Sequence, residues 1–187
     1  LYASYSTGYK AGGFNLLQTD PYDPEQVDAF EAGLKSRWLG DRLQLNVATF
    51  YYDYQDKQDF QRFVGSAGNV TFEIVNAAAA TSEGVEVEVQ AKVTEALSVD
   101  FSLGYLNAEI DEFMSIDSTA PIGGGLRDLS GNELPFSPRL SAHLGIQYDW
   151  ELTDIGAVSA RLDYSSTSEQ FSNVFNRDAS SGLAGDA

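Results

Sequence analysis

Apolar and polar residues alternate one by one through most of this chain. Over residues 1–11, Leu1, Ala3, Tyr5, Thr7, Tyr9 and Ala11 fall on one side and Tyr2, Ser4, Ser6, Gly8 and Lys10 on the other. A period of two is the mark of a half-exposed β-strand, whose successive side chains point to opposite faces. The same alternation predicts strands over 28–38, 42–56, 83–91, 97–105, 138–150 and 158–165. It is clearest where Val85, Val87 and Val89 face Gly84, Glu86, Glu88 and Gln90, a strand whose start is left open as far back as Thr71. Leu140, Ala142, Leu144, Ile146, Tyr148 and Trp150 against Arg139, Ser141, His143, Gly145, Gln147 and Asp149 repeat it. No helical period of comparable length competes.

The connections alternate too. Short turns at 39–42, 92–96 and 151–156 take turns with long loops at 12–26, 57–70 and 111–137. In an antiparallel meander this gathers every long loop at one end, the plan of an outer-membrane barrel with surface loops and periplasmic turns. Strands of about 9–11 tilted residues suit a bilayer core of ~30 Å. The second face of each strand is small or polar, as a watery lumen requires. Tyr9, Trp38, Tyr51, Tyr105, Tyr148, Trp150 and Tyr164 sit toward strand ends, where aromatic girdles form. The predicted fold is therefore all-β, an antiparallel meander of about seven strands forming part of a transmembrane β-barrel. Bacterial barrels have even strand numbers of about eight or more. Residues 1–187 are accordingly expected to be part of a larger barrel, opening in mid-strand and ending in a loop-like stretch.

Composition narrows the function. With 11 Lys and Arg against 28 Asp and Glu, the net charge of −17 leaves no electrostatic footprint for nucleic acid. The absence of cysteine excludes disulfides, thiolate metal sites and cysteine nucleophiles. A mean hydropathy of −0.24 does not argue against a barrel, whose two faces average out.

The order of short motifs then resembles a known family. Tyr5-Ser6-Thr7-Gly8-Tyr9-Lys10-Ala11-Gly12-Gly13-Phe14-Asn15 is similar to a stretch of TonB-dependent outer-membrane receptors. So are Pro24-Glu25 leading to Glu31-Ala32-Gly33-Leu34-Lys35, and the strand from Leu45 to Tyr54. Asn76-Ala77 before Gly84-Val85-Glu86-Val87-Glu88, and Leu134-Pro135-Phe136-Ser137-Pro138, follow in the family's order. The resemblance covers most of the chain to about Tyr164. It implies a 22-stranded barrel in the outer membrane, plugged by an N-terminal domain, importing a scarce ligand such as a ferric siderophore. Energy would come from the inner-membrane TonB complex through an N-terminal box. Plug, box and terminal strand are expected outside these residues. The implied partners are outer-membrane lipid, the plug, the TonB complex and the small-molecule ligand, with no cofactor.

If the polar face lines a lumen, Lys10, Glu31, Lys35, Glu86, Glu88, Asp100, Arg139, Arg161 and Asp163 point inward, to pair across strands or to hold the plug. Ligand capture is expected at loop apices, where Phe14, Tyr22, Phe60, Arg62, Phe63 and Arg127 offer ring faces and positive charge. The acidic groups Asp20, Asp23, Glu25 and Asp53, Asp56, Asp59 lack the spacing of a calcium loop. With a single histidine, His143, no His-based zinc site is expected, and no enzyme is expected either. Two other readings compete. One is a soluble β-sandwich acting as an adhesin or carbohydrate-binding module. The other is an outer-membrane lipase or protease that depends on His143.

Overall fold

The structure, a computed structural model, describes residues 1–15, 21–64, 70–116, 126–153 and 155–177. Its strands in chain order are β1 (Tyr2–Lys10), β2 (Gly13–Phe14), β3 (Pro21–Tyr22), β4 (Glu25–Trp38), β5 (Leu43–Val64), β6 (Val70–Lys92), β7 (Leu97–Ile116), β8 (Leu126–Asp128), β9 (Leu140–Leu152) and β10 (Gly156–Thr167). One antiparallel sheet runs β1-β4-β5-β6-β7-β9-β10, with β8 added to the far end of β7, and β2 pairs with β3 in a separate hairpin. The turn after β4 is tight because Leu39, Gly40 and Asp41 all take positive φ.

The seven long strands fall where the alternation predicts them, but three reach much further. β5, β6 and β7 have 22, 23 and 20 residues, so backbone predicted as the loops 57–70 and 111–137 continues the ladder to Val64, from Val70 and to Ile116. In these extensions the buried positions hold residues as different as Gln58, Glu73, Phe113 and Ser115, so the alternating sequence signal fades while the hydrogen bonds continue. The break is visible at Asp56 (φ 52°), where the β5–β6 register shifts between Tyr54 and Lys57. The loop predicted over 12–26 holds the β2–β3 hairpin and gives way to β4 at Glu25.

Register sorts the side chains into two faces. Ala3, Ala32, Thr49, Val85 and Tyr105 align in one row, and Leu34, Val47, Val87, Leu103 and Ala142 in the next. Tyr5, Phe30, Tyr51, Tyr105 and Tyr164 belong to this face toward the long-loop end, and Trp38, Tyr148 and Trp150 to the short-turn end. All eight rings are exposed, as are Val85, Leu144, Ile146 and Leu162, the last at 68%. The Tyr51 and Leu43 rows are eight residue steps apart on β5, ~26 Å along the strand before tilt. That matches the apolar band of ~25 Å on a membrane barrel.

Among the described residues the seven long strands form one sheet, not the two sheets packed face to face that the soluble β-sandwich reading requires. Burying such a face is worth ~25 cal/mol per Å², which is what the hydrocarbon of a bilayer would supply to a barrel wall. Buried apolar side chains gather instead at the long-loop end. There Ile110, Phe113 and Leu129 pack with Leu134, Val174 and Phe175. The segment after β10 is tied down by Ser168 N–H to Leu140 O, Phe136 N–H to Phe171 O and Asn132 Nδ2 to Val174 O.

Candidate functional site

The opposite face carries the chemistry, and three charged groupings stand out on it. On β1, β4 and β5, the Tyr2 hydroxyl donates to Glu31 Oε1 at 2.5 Å, Lys35 Nζ lies 5.5 Å from the Tyr2 ring centre, and the Phe50 and Tyr52 rings stack at 5.1 Å. Gly33 makes room for this, since a Cβ there would meet the Tyr2 ring at 2.5 Å. Glu86 stands in the row Tyr2, Gly33, Ala48, Glu86, and Glu88 accepts from Asn46 Nδ2 at 3.2 Å. Among the described residues neither Glu31 nor Glu86 is in an ion pair.

The second grouping spans β7, β9 and β10. Asp100, Gly145 and Asp163 are register partners, and Arg161 reaches over Gly145 to both carboxylates, with Nη2 2.9 Å from Asp100 Oδ1 and 2.7 Å from Asp163 Oδ1. A Cβ at position 145 would crowd the Arg161 guanidinium where it now lies, so glycine here lets the charges on the flanking strands meet in this arrangement. His143 joins them, its Nε2 3.2 Å from Asp100 Oδ2 and 3.6 Å from Asp163 Oδ1, its Nδ1 3.0 Å from Ser165 Oγ. In the third, toward the long loops, Arg139 pairs with Glu133 at 2.6 Å and Glu109 at 3.7 Å.

The loop candidates are scattered. Phe14 is 74% exposed on β2, Tyr22 is half-buried opposite Gly13, and Arg127 is exposed on β8 opposite Ser115. Phe60, Arg62 and Phe63 lie on the backbone of β5 rather than in a loop, paired with Ile74, Phe72 and Thr71, and their side chains fall outside the described residues. Lys10 ends β1 opposite Glu25.

Sequence reasoning assigned no role to the residues that dock the β2–β3 hairpin on the sheet. Gln58, 6% exposed, donates through Nε2 to the carbonyls of Lys10, Ala11 and Asp23, while its N–H donates to Glu25 Oε2. Asn15 exchanges two hydrogen bonds with the Ile74 backbone, and Asn76 exchanges two with that of Asp23. Their partners lie 33–59 residues away, so no local pattern announces them. Outside the strands that cross the apolar band, two carboxyls are held below their usual range. Asp128 is lowered by the Ser130 hydroxyl and N–H, and Glu95 by the Lys92 ammonium, with Arg42 adding to it.

The profile of the family described as TonB dependent receptor-like, beta-barrel, matches residues 1–186. The chain belongs to the TonB-dependent receptor β-barrel family. Two solved structures share its fold. The ferric yersiniabactin uptake receptor FyuA from Yersinia pestis superposes with a TM-score of 0.70 at 22% identity, over 94% of this chain and 24% of that one. The copper transporter OprC gives 0.53 at 22% identity, over 84% and 21%. This receptor segment thus spans about a quarter of the length of either neighbour. Its sheet is a stretch of barrel wall in the outer membrane of a Gram-negative bacterium, and the family is one of receptors and transporters.

Proposed function

We propose that these residues form part of the wall of a receptor that imports a ferric siderophore, with its polar face toward the lumen. Energy comes from the TonB complex, acting on an N-terminal plug domain that lies outside this stretch of chain. The observation that carries the reading is the pair Glu31 and Glu86 on the polar face, without a cationic partner among the described residues. Carboxylates lining an enclosed lumen need charge-assisted hydrogen bonds from whatever fills it. A guanidinium on the plug, lying against the Tyr2 and Tyr52 rings as well, would supply them.

Several features support the choice of ligand. A ferric siderophore is a large, often anionic chelate, suited to ring faces and cations such as Phe14, Tyr22 and Arg127 at the long-loop end. The Yersinia pestis neighbour is named for uptake of such a chelate, although the copper transporter shows that the fold itself does not choose the cargo.

The test is uptake of radioactive iron presented as a panel of ferric siderophores to iron-starved cells, with and without the receptor gene. Uptake of one chelate should fall to background in the deletion strain and in a strain lacking the TonB complex. Unchanged uptake of every chelate in the deletion strain rejects the siderophore assignment. Uptake that persists without the TonB complex rejects the energy source.

A further inference from the structure

We propose that Asp100, His143 and Asp163 form a binding site for a divalent transition-metal ion in the barrel wall, separate from the ligand the receptor imports. The three residues come from the adjacent strands β7, β9 and β10, and one ligand atom from each lies within 4.8 Å of the others. Zinc bonds to nitrogen and oxygen at about 2.0–2.2 Å, which separates tetrahedral ligand atoms by ~3.4 Å. The two histidine edges of this triangle measure 3.2 and 3.6 Å.

The surroundings are those of a supported metal site. Ser165 Oγ lies 3.0 Å from His143 Nδ1. Accepting the Nδ1 proton there leaves the Nε2 lone pair directed at two carboxylate oxygens. That lone pair and the two carboxylate oxygens converge on one point, with the Arg161 guanidinium bonded to both carboxylates beside it. Arg161 donates to both aspartates and fixes their planes, the outer-shell support that metal-binding carboxylates characteristically have. Because residue 145 is glycine, the Arg161 guanidinium can lie over it and reach both carboxylates from that side, leaving the His143 side for a metal ion. Two carboxylates and a neutral imidazole suit Zn²⁺ and leave a fourth position open. Counting histidines along the sequence hides the site, since its other ligands lie 43 residues before and 20 after His143.

The alternative is a metal-free ion-pair network in which a proton occupies the same place. Full-length receptor, purified in detergent and stripped with chelator, is titrated with Zn²⁺ by calorimetry and with Co²⁺ by visible absorption. A single Zn²⁺ should bind, and Co²⁺ should give the intense bands of a tetrahedral site. His143→Gln should weaken binding more than 100-fold, and Ser165→Ala, which leaves all three ligands in place, 10–100-fold. Glu151→Gln, at the far end of β9, should change nothing. Absence of Zn²⁺ binding, or binding that His143→Gln leaves unmoved, overturns the proposal in favour of the ion-pair network. If His143→Gln fails to assemble, Ser165→Ala decides: unchanged affinity overturns the site.

Discussion

Neighbouring residues on one strand meet different solvents. Val87 lies between Val47 and Leu103 on the apolar face, midway between the aromatic rows, while Glu88 beside it lies between Asn46 and Ser102 on the polar face. Val87→Arg should cost ~2–4 kcal/mol, the penalty for a cation near the midplane of a barrel's lipid face. It should sharply reduce the folded, heat-modifiable species in outer-membrane fractions. Glu88→Arg should assemble close to normally. Equal defects would contradict the assigned register, and a larger defect from Glu88→Arg would mean the faces are exchanged, since a slip of one residue turns every side chain to the other side. This division was legible in the sequence because lipid on one side and water on the other impose period two. The charged groupings were legible only as a list of inward residues. That Asp100, His143, Arg161 and Asp163 converge depends on register across three strands and on Gly145 between them, which spacing along the chain does not encode.

At the level of elements, the short turns behave as electrostatic clasps. Between β6 and β7, Lys92 Nζ reaches Glu95 Oε2 at 2.9 Å, Arg42 Nη1 lies 3.9 Å from Glu95 Oε1, and Arg42 also donates to the Lys92 and Val93 carbonyls. Glu95 titrates below its ordinary value because Lys92 bonds and faces the carboxylate form. The contribution to holding the turn is therefore complete above the range where a free glutamate titrates, about pH 4.3. It disappears as pH falls through the lower value of the folded state. Hydrogen exchange at 93–96, corrected for its intrinsic pH dependence, should show the turn opening more readily as pH drops from 6 to 3. Glu95→Gln should remove that dependence and leave the turn at its low-pH level throughout. The strand extensions were the least legible elements. Beyond the bilayer, β5, β6 and β7 alternate poorly, so Phe60, Arg62 and Phe63 read as loop although the backbone carries them within a ladder.

At the scale of the whole molecule, β1 and β10 each pair on one side only among the described residues. In hydrocarbon, every unpaired backbone group costs several kcal/mol, so the wall has to continue past both edges. The 187-residue chain produced by itself and exported should therefore fail to yield a heat-modifiable, protease-resistant species, whereas the full-length receptor should yield one. Recovery of a resistant monomer from the short chain would mean that these strands close on themselves. Family and architecture were readable from motif order and loop alternation, since both follow from a meander threaded through a membrane. The docking of the β2–β3 hairpin by Gln58, Asn15 and Asn76 was not, because it is built wholly from distant contacts.

At ~3.3 Å per residue, the 23 residues of β6 measure ~75 Å along the strand, and about 9–11 of them suffice to traverse the oily layer. More than half of that stave is therefore above the cell's lipid surface, braced by equally tall neighbours. A diffusing chelate would meet this hydrogen-bonded palisade before it reached the level of the oily layer, so the approach to the receptor is shaped by protein rather than by the membrane below.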